Sequence, residues 1–512
     1  MAASPNTAQG RYQQLAKTRS PYLKRAEDCA KLTIPSLHVA EGFNGGTALH
    51  TPFQGMGARG VNNLASKLIL ALMPPNQPFF RLMLDDTVVE EMAGSKDLRS
   101  EVEKALGDME RTVQTEIETT ATRPGVFEVL KLLITTGNAL VYMLPEGGLK
   151  VYRLSQYAVK RDPNGETKEV ILHEKVASDA FPKGFAKALG ANETSDALLD
   201  LYTWVRREGE FYSVHQECKG KIVPGTKGRW PVERPPFLAL RWIKIDGEDY
   251  GRGHVDEYIG DLRSLEALTQ AIVEGSAAAA RGLILVDPNG STDERVIAES
   301  DNWAVQIGKA DDISVLKIEK HYDFKTTLET IQLIQQRLAQ AFLLTSSVTR
   351  DAERVTAEEI RLMAGELEDA LGGVYSVLSQ EFQLPFVRRL MFQLEEAGRI
   401  PPLPTGTVRP SIVTGMEALG RGHDLNRLLT FARLVKETLG PEAIMRNVKE
   451  ADLLKRFGVA LSIPLDGLLK TDEERAQENQ QAQQQALIQS LGPEAMRQQG
   501  QAQQQQEPTS GP

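Results

Sequence analysis

The sequence predicts a mainly α-helical chain whose N-terminal half also contains β-strands. Apolar residues recur at three- and four-residue steps in several long segments, the pattern of helices that bury one face. Residues 149–214 instead alternate short β-rich segments with turn sequences. The 512 residues are 41% hydrophobic and 25% charged. This composition is globular, and the length suits about three or four domain-sized units.

The N-terminal half begins with helices and continues with hairpins. One face shared by Leu64, Leu68, Ile69 and Leu72 predicts a helix over 61–72, which Pro74 ends. The same spacing predicts helices over 98–119 and from about 125 to 136. The predicted hairpins pair 149–159 with 170–172 around the turn Asp162-Pro163-Asn164-Gly165, and 199–205 with 211–214.

Two long helices are predicted to bracket a small β insert. The first covers 255–280, with a stripe formed by Ile259, Leu262, Leu265, Leu268 and Ile272. The insert contains β-like segments at 283–286, 303–307 and 313–316 and a turn at 287–290. The second helix covers about 323–344, with an apolar face formed by Phe324, Leu328, Ile331, Leu338 and Phe342.

A polar break at 345–354 separates these helices from another long one. Thr356 and Glu359 have the spacing of a capping box, which predicts a helix start. That helix is expected to kink at Gly372-Gly373 and to continue toward Gly398. The proline-rich residues 401–404 are expected to form a linker or a chain reversal before a small helical domain from about 416 to 469. Beyond residue 471 the Gln-rich tail is expected to be disordered, or helical only against a partner.

Charge and cysteine content restrict the function classes. Lys plus Arg number 59 against 69 Asp plus Glu, a net charge of −10, which is the wrong sign for a surface that grips DNA phosphates. Cys29 and Cys218 are far apart and fit small core residues of a reducing compartment. No apolar stretch is long enough for a membrane span or a signal peptide. We therefore expect a soluble protein made in a cytoplasm.

Several residue patterns resemble chemical sites but are better explained as structure. Gly55-Met-Gly-Ala-Arg-Gly60 has the GxGxxG form of a dinucleotide site, yet no convincing strand precedes it and no βαβ unit surrounds it. His215 and Cys218 have ligand spacing without a second pair to complete a zinc site. Adjacent carboxylates diverge in direction and rarely meet on one substrate atom; they occur at Asp85-Asp86, Asp311-Asp312 and Glu358-Glu359. The sequence predicts no enzyme activity, no cofactor and no metal.

A family resemblance rests on seven motifs that occur in order between about residues 10 and 425. They are Thr33-Ile-Pro-Ser-Leu37, Gly57-Ala-Arg-Gly-Val-Asn-Asn-Leu-Ala-Ser-Lys67, Tyr152-Arg-Leu-Ser155, Asp246-Gly-Glu-Asp-Tyr-Gly-Arg252, Tyr258-Ile-Gly-Asp-Leu-Arg-Ser-Leu-Glu266, Glu353-Arg-Val-Thr-Ala-Glu-Glu-Ile-Arg361 and Glu366-Leu-Glu-Asp-Ala-Leu-Gly-Gly-Val-Tyr-Ser376. With these motifs the sequence resembles the portal proteins, or head-to-tail connectors, of T7-like short-tailed bacteriophages (podoviruses).

The resemblance implies the phage portal fold, in which subunits with a wing, stem, clip and crown assemble as a ring around a central channel. Applied to this sequence, it implies a wing at 1–253, stem helices at 254–281 and 322–344, a clip at 282–321, a tunnel loop at 345–355, a kinked wing helix and linker at 356–404, a crown at 405–475 and a flexible tail at 476–512.

The resemblance also implies partners and a place in the virion. A dodecamer at the portal vertex would conduct double-stranded DNA during packaging and ejection. It would bind the terminase large subunit, the tail adaptor, the major capsid and scaffolding proteins and, at the crown, internal core proteins. No membrane partner is expected.

Basic residues near the predicted channel are the candidate functional residues. Arg350 and Arg354 lie in the tunnel loop, where repetition around a ring would concentrate guanidinium groups on passing phosphates. Weaker candidates to line the channel are Lys317, Lys320, Lys325 and Arg337, which could equally be ordinary exposed residues. Two other functions remain open: an internal scaffolding or core protein without a channel, and a nucleotide-binding enzyme that uses Gly55–Gly60.

Overall fold

The computed structural model of the chain contains helices and antiparallel sheets, so the fold is mixed α and β. The residues that it describes are 7–39, 46, 48–75, 79–84, 96–120, 122–190, 198–280, 283–289, 295, 309–316, 321–344, 367, 370–371, 373–402, 408–412, 430–431, 433–435 and 437–438. Contacts divide the chain into two compact units, Met1–Ala418 and Leu419–Pro512. All elements named below belong to the first unit.

Nine helices are named here in chain order. They are α1 (Ala8–Lys31), α2 (Met56–Leu72), α3 (Lys96–Thr119), α4 (Thr122–Thr136), α5 (Phe185–Ala188), α6 (His254–Glu257), α7 (Ile259–Ala280), α8 (His321–Ala341) and α9 (Leu384–Glu396). A π-helical turn, Ser379–Gln383, leads directly into α9. The helices predicted over 61–72, 98–119 and 125–136 are confirmed, and each begins a few residues earlier than predicted.

The strands among the described residues form four antiparallel sheets. In chain order they are β1 (Phe80–Leu84), β2 (Asn138–Met143), β3 (Leu149–Tyr152), β4 (Tyr157–Arg161), β5 (Thr167–Ala177), β6 (Leu198–Glu208), β7 (Phe211–Cys218), β8 (Lys221–Ile222), β9 (Gly228–Pro231), β10 (Phe237–Arg241), β11 (Leu283–Val286), β12 (Ile313–Leu316) and β13 (Val408–Ile412). The largest sheet has the order β4-β5-β6-β7-β8, and β9 also pairs with β7. A smaller sheet has the order β10-β2-β3, and β1-β13 and β11-β12 are two-stranded.

Both predicted hairpins are present, with one correction. The turn Asp162–Gly165 joins β4 to β5, and Gly165 supplies the positive φ of +84° that this turn needs. The predicted single strand over 149–159 was wrong, because a 3₁₀ turn at Leu154–Gln156 divides it. The side-chain oxygen of Gln156 accepts a hydrogen bond from the Arg153 amide at 2.9 Å. The first part pairs with β2 in one sheet and the second with β5 in another.

The largest core lies where the helices meet the three-stranded sheet. It joins α2, α4, β2 and β10 to the start of α7, the end of α8 and α9. Trp242, directly after β10, is completely buried in it. Cys29 and Cys218 are also buried, as predicted for small core residues, and burial raises the pKa of the Cys29 thiol to about 12. Within the described part of the chain, no helix is long and apolar enough to cross a membrane.

Buried arginines tie the sheets to the helices. Arg241 at the end of β10 forms an ion pair with Glu381 of the π-helical turn, and its Nε lies 3.0 Å from Glu381 Oε1. Arg161 at the end of β4 donates to the carbonyl oxygens of Ala239 and Asp249 at 2.7 and 3.0 Å. Nη1 of Arg19 in α1 donates to the carbonyl oxygen of Tyr157 at 2.7 Å. These bonds join the three-stranded sheet to the π-helical turn, the largest sheet to the three-stranded sheet, and α1 to the largest sheet.

Candidate functional site

Helices α7 and α8 form an antiparallel pair that projects from this core. Near the core, Arg337 of α8 lies 2.9 Å from Asp261 of α7. At the other end, Gly275 of α7 faces Phe324 of α8 so closely that an added Cβ would lie 3.0 Å from the ring. The strands β11 and β12, which follow α7 and precede α8, pair with each other. This is the predicted arrangement of two long helices around a β insert.

Burial changes systematically along this pair. Leu262 and Leu265 at the start of α7 are completely buried, as is Leu338 near the end of α8. Farther out, Val273 and Leu328 are 49% and 48% exposed, and Leu333, which lies between the buried Ile331 and Ile334 on another face of α8, is 62% exposed. Leu328 was predicted on the apolar face of its helix, but α7 does not cover it. The pair is therefore anchored at one end and presents apolar side chains to solvent at the other.

The end of α8 has an unusual backbone. Leu343 has a φ of +53°, the left-handed conformation that usually requires glycine. The Leu344 amide donates to the carbonyl oxygen of Ala339 at 2.7 Å, and the Leu343 amide donates to that of Gln340 at 3.1 Å. These two bonds form the Schellman motif that commonly closes a helix.

Three side chains from outside α8 bind its last carbonyl groups. Asn63 Nδ2 donates to the carbonyl oxygens of Phe342 and Leu343, both at 3.1 Å. Lys67 Nζ donates to the Leu343 oxygen at 2.9 Å. His254 Nε2 lies 3.0 Å from the Ala341 oxygen, and because a carbonyl only accepts, the imidazole donates. We call Asn63, Lys67 and His254 the helix-end clamp.

The clamp lies in a largely buried, apolar environment. Lys67 and His254 are only 6% and 4% exposed. The His254 ring packs edge-on against Phe342, with centroids 5.3 Å apart, and lies near Tyr258 and Trp242. Burial lowers the pKa of His254, although its bond to the Ala341 carbonyl acts in the opposite direction. The imidazole is therefore neutral at pH 7.

The Gly55–Gly60 motif has a packing role in the structure. A Cβ on Gly57 would clash with the Leu32 carbonyl oxygen and lie 3.1 Å from a Thr33 methyl carbon. A Cβ on Gly60 would lie 2.6–2.9 Å from ring atoms of Phe342. Residues 48–55, which precede α2, contain no strand. Two of the three glycines thus let α2 approach its neighbours closely, and Gly60 packs against Phe342, which directly follows α8.

Only some of the predicted functional residues fall within the described structure. Lys325 is exposed on α8, and Arg337 is exposed but pairs with Asp261 of the same chain. Gly373 is helical and exposed, and the departure from α-helical geometry along this segment is the π-helical turn that begins six residues later, at Ser379. The predictions for Arg350, Arg354, Lys317, Lys320, Thr356, Glu359 and Gly372 lie outside the described residues.

The other chemical patterns have ordinary partners. His215 Nε2 lies 3.0 Å from Glu217 Oε1 on the same strand. Asp311 and Asp312 form a short 3₁₀ turn, from which the Asp312 carbonyl accepts the Asp287 amide at 2.9 Å. Among the residues with described positions, no group of three or more His, Cys, Asp or Glu side chains could hold a metal.

The comparison with known proteins decides the family. Residues 5–469 match the family model described as bacteriophage head to tail connecting protein. The chain belongs to this family, the portal proteins of T7-like phages. It is 40% identical to the portal protein of Escherichia phage T7 over 91% of this chain and 88% of that protein. The portal proteins of Enterobacteria phages T3 and SP6 are 40% and 33% identical, over 91% and 93% of this chain and 89% and 93% of theirs.

Among solved structures, similarity to a chain in the virion of a native gene transfer agent particle reaches a TM-score of 0.35 at 13% identity. The match covers 80% of this chain and 90% of the other. The resemblance to T7-like portal proteins is confirmed by the sequence matches.

The helix-end clamp was missed at the sequence level. Gly60, Asn63 and Lys67 follow one another at three- and four-residue steps, so they share one face of α2. A small residue and two polar residues on the buried face of α2, which is otherwise apolar, could have indicated a close polar contact at this position. Their partner, the end of α8, is distant in the sequence and could not be inferred from it.

Proposed function

We propose that copies of this chain form a ring, expected to be a dodecamer, at the portal vertex of a phage capsid. The ring would admit double-stranded DNA during packaging, retain it and release it during ejection. The helices α7 and α8 would be the stem, and the two largest sheets with α1 to α4 and α9 would be the wing, as in the mainly α portal fold with an α+β wing.

The observation that carries this proposal is the set of exposed apolar side chains along the α7–α8 pair. Val273 and Leu328 lie toward its outer end, Leu333 lies nearer the core, and each is about half exposed or more. Exposed apolar residues are common singly, but several on one projecting pair of helices are typical of an interface. A neighbouring subunit would cover these side chains in a ring.

A groove along α8 supports the same contact. It has a volume of about 490 Å³, and the described residues that line it all belong to α8: Thr330, Leu333, Ile334, Gln336, Arg337 and Gln340. Its mixture of apolar and polar groups resembles the composition of subunit interfaces. We propose that a stem helix of the adjacent copy occupies it.

The β11–β12 pair supports the proposed clip. Leu283 pairs with Leu316 and Val286 with Ile313, so the insert closes on itself between the two stem helices. We propose that this clip binds the terminase large subunit during packaging and the tail adaptor afterwards. The crown, proposed for 405–475, would contact internal core proteins, and the wing would contact the major capsid and scaffolding proteins.

We propose that Arg350 and Arg354 close the channel. Their support is the sequence: two arginines in a short segment of an otherwise acidic chain, directly after the stem. A net charge of −10 per copy would keep DNA mobile in the channel, and an arginine ring would retain it at one level. Arg350→Ala and Arg354→Ala should assemble normally but lose packaged genomes. Normal retention in both variants would refute this assignment.

The alternative of a nucleotide-binding enzyme has less support. Gly57 and Gly60 face protein atoms at close range, so no space for a pyrophosphate lies against them. That alternative predicts saturable ATP or NAD binding that Gly57→Ala abolishes. An internal scaffolding protein would expose interfaces without forming a channel.

Electron microscopy of the purified chain separates these functions. A portal protein gives rings with a central hole, a scaffolding protein gives no defined ring, and an enzyme would be active as a smaller species. A stable monomer at micromolar concentration would contradict the proposal.

A further inference from the structure

A closed ring restricts which faces of adjacent copies can meet. Its copies are related by rotation alone, so one face of each subunit meets a different face of the next. Rotation shifts no copy along the ring axis. For helices that run roughly along that axis, the two faces must therefore lie at the same level and on opposite sides of the subunit.

Two contacts fix the register of α7 against α8. Asp261 lies beside Arg337, and Gly275 lies beside Phe324. Because the helices are antiparallel, each step forward along α7 corresponds to a step backward along α8. Counted from the first contact, Leu333 lies opposite residue 265, and counted from the second it lies opposite residue 266. The exposed Leu333 is therefore level with this part of α7.

Glu266 binds a second exposed apolar group to α7 at the same level. We call residues 48–55 the pre-α2 segment. Glu266 Oε1 accepts from the Phe53 amide at 2.9 Å, and Oε2 accepts from the next amide at 3.2 Å. Leu49 and Phe53 are nevertheless 40% and 43% exposed. A single chain thus leaves two large apolar side chains of this segment partly uncovered.

The pre-α2 segment lies on the side of α7 that points away from α8. Successive residues of an α-helix turn by about 100°. Glu266 is consequently roughly 140° from Asp261 and roughly 180° from Gly275, the two residues that contact α8. The segment that Glu266 binds therefore belongs to the outer face of α7.

Leu333 lies on the corresponding outer face of α8. It is roughly 180° from Phe324, which contacts α7, and roughly 140–160° from the buried Ile331 and Leu338. Arg337 lies at the edge of this face, and its long side chain reaches back to α7. The pre-α2 segment and Leu333 thus lie at one level on opposite sides of the helix pair, as a ring contact requires.

We infer that the pre-α2 segment of one copy packs into the α8 groove of the next copy, with Leu49 and Phe53 against Leu333. The helix that approaches this groove is then α7, through the face that carries Glu266. Three exposed apolar side chains would become covered at each contact. This inference rests on the proposed function, because it takes α7 and α8 as the stem of a ring.

Polar groups on the two faces are complementary in the same arrangement. His50 of the pre-α2 segment lies 4.0 Å from Glu266, and its side chain is 50% exposed. Glu329 is exposed and precedes Leu333 by four residues, about one helical turn. An imidazole keeps an N–H donor even when neutral, and a carboxylate accepts. The α7 face therefore offers a donor close to where the α8 face offers an acceptor.

Disulfide formation in purified rings tests the contact directly. The double variant Phe53→Cys with Leu333→Cys should give a ladder of covalent multimers on a non-reducing gel, because each copy would be joined to the next. The control pairs Leu333→Cys with Leu198→Cys, whose parent leucine is 63% exposed on β6, and it should give monomers. The native Cys29 and Cys218 are buried and do not interfere.

Two gel results would overturn the inference. One is a double variant that assembles into rings but yields only monomers. The other is a covalent dimer from Leu333→Cys alone, which would show that α8 meets α8. If the first pair does not assemble, His50→Cys with Glu329→Cys supplies a second pair of exposed residues on the same two faces, and the same results decide.

Dilution of the rings measures how much the pre-α2 segment contributes. Phe53→Ser should raise the concentration at which rings dissociate by about tenfold or more, as followed by sedimentation velocity. Phe211→Ser is the matched control, because Phe211 is 36% exposed on the largest sheet, and it should leave that concentration unchanged. Equal effects would contradict the inference. If the parent chain itself forms no rings, the proposed function fails; if it forms rings that Phe53→Ser does not weaken, only this inference fails.

Discussion

The two ends of the stem helix pair differ in how completely one chain satisfies them. At the wing end, Leu262, Leu338 and Phe342 are completely buried, and hydrogen bonds bind the final carbonyls of α8. At the far end, Val273 and Leu328 remain about half exposed. Within one chain, the core end of the pair is thus fully packed, whereas its outer end is not. If this pair is the proposed stem, contacts between adjacent copies would form on it, while the core, the proposed wing, would support the pair in each copy.

The largest expected effect is on the free energy of unfolding, after loss of a buried ion pair in the proposed wing. Glu381→Ala removes the partner of Arg241, which is 2% exposed and would become a buried unpaired charge. We expect a loss of roughly 3–5 kcal/mol in the free energy of unfolding, measured by urea denaturation. The exposed Arg337–Asp261 pair on the stem is the matched control, and Arg337→Ala should cost below about 1 kcal/mol. Equal effects would remove the contrast between the two regions.

The next effect depends on pH. His38 is 4% exposed, and burial, with the nearby charges of Arg153 and Arg19, lowers its pKa to about 4. Its ordinary pKa is 6.5, so the unfolded chain binds a proton that the folded chain excludes as the pH falls. Above pH 6.5, His38 is neutral in both states and does not affect the free energy of unfolding. As the pH falls toward 4, protonation of His38 in the unfolded chain lowers the free energy of unfolding by up to about 3 kcal/mol.

His38→Leu should therefore flatten the dependence of unfolding free energy on pH between 6.5 and 4.5. The comparison is between the slopes of variant and parent, since carboxylates contribute equally to both. Identical slopes would show that His38 titrates normally in the folded wing.

A smaller change in the free energy of unfolding is expected where Phe342 packs against Gly60 of α2. Gly60→Ala would place a Cβ 2.6–2.9 Å from the ring, so the ring or the helix must shift, at about 1–3 kcal/mol. Gly107→Ala in α3 is the matched control, because nothing lies within 4 Å of its added Cβ. The control should stabilise the chain by roughly 0.5–1 kcal/mol. Thermal unfolding of both variants measures the difference, and a stabilising Gly60→Ala would contradict the contact.

The stem variant should have the smallest effect on folding and a large effect on assembly. Leu333 is 62% exposed, so Leu333→Ser should change the unfolding free energy of the subunit by less than about 0.5 kcal/mol. Sedimentation velocity should nevertheless show fewer rings, because the exposed side chain is lost from each subunit contact. Unchanged assembly would place the subunit interface elsewhere.

Sequence periodicity predicted the elements better than their connections. The helices over 56–72 and 321–341 and the hairpins around 162–165 and 209–210 follow from local apolar spacing and turn residues. The pairing of β1 with β13 was not predicted, because its strands are distant in the sequence and Val408–Ile412 contains a proline. The helix-end clamp and the Arg241–Glu381 pair escaped prediction for the same reason. Two polar side chains that meet only through tertiary packing have no fixed spacing in the sequence from which their contact could be predicted.

The most direct test of the central claim is electron microscopy of the purified full chain with rotational averaging. The account predicts closed rings with a central hole, in which the α7–α8 pairs of adjacent subunits contact each other through Val273, Leu328 or Leu333. A monodisperse monomer, or rings whose stem helices remain exposed to solvent at these positions, would contradict it.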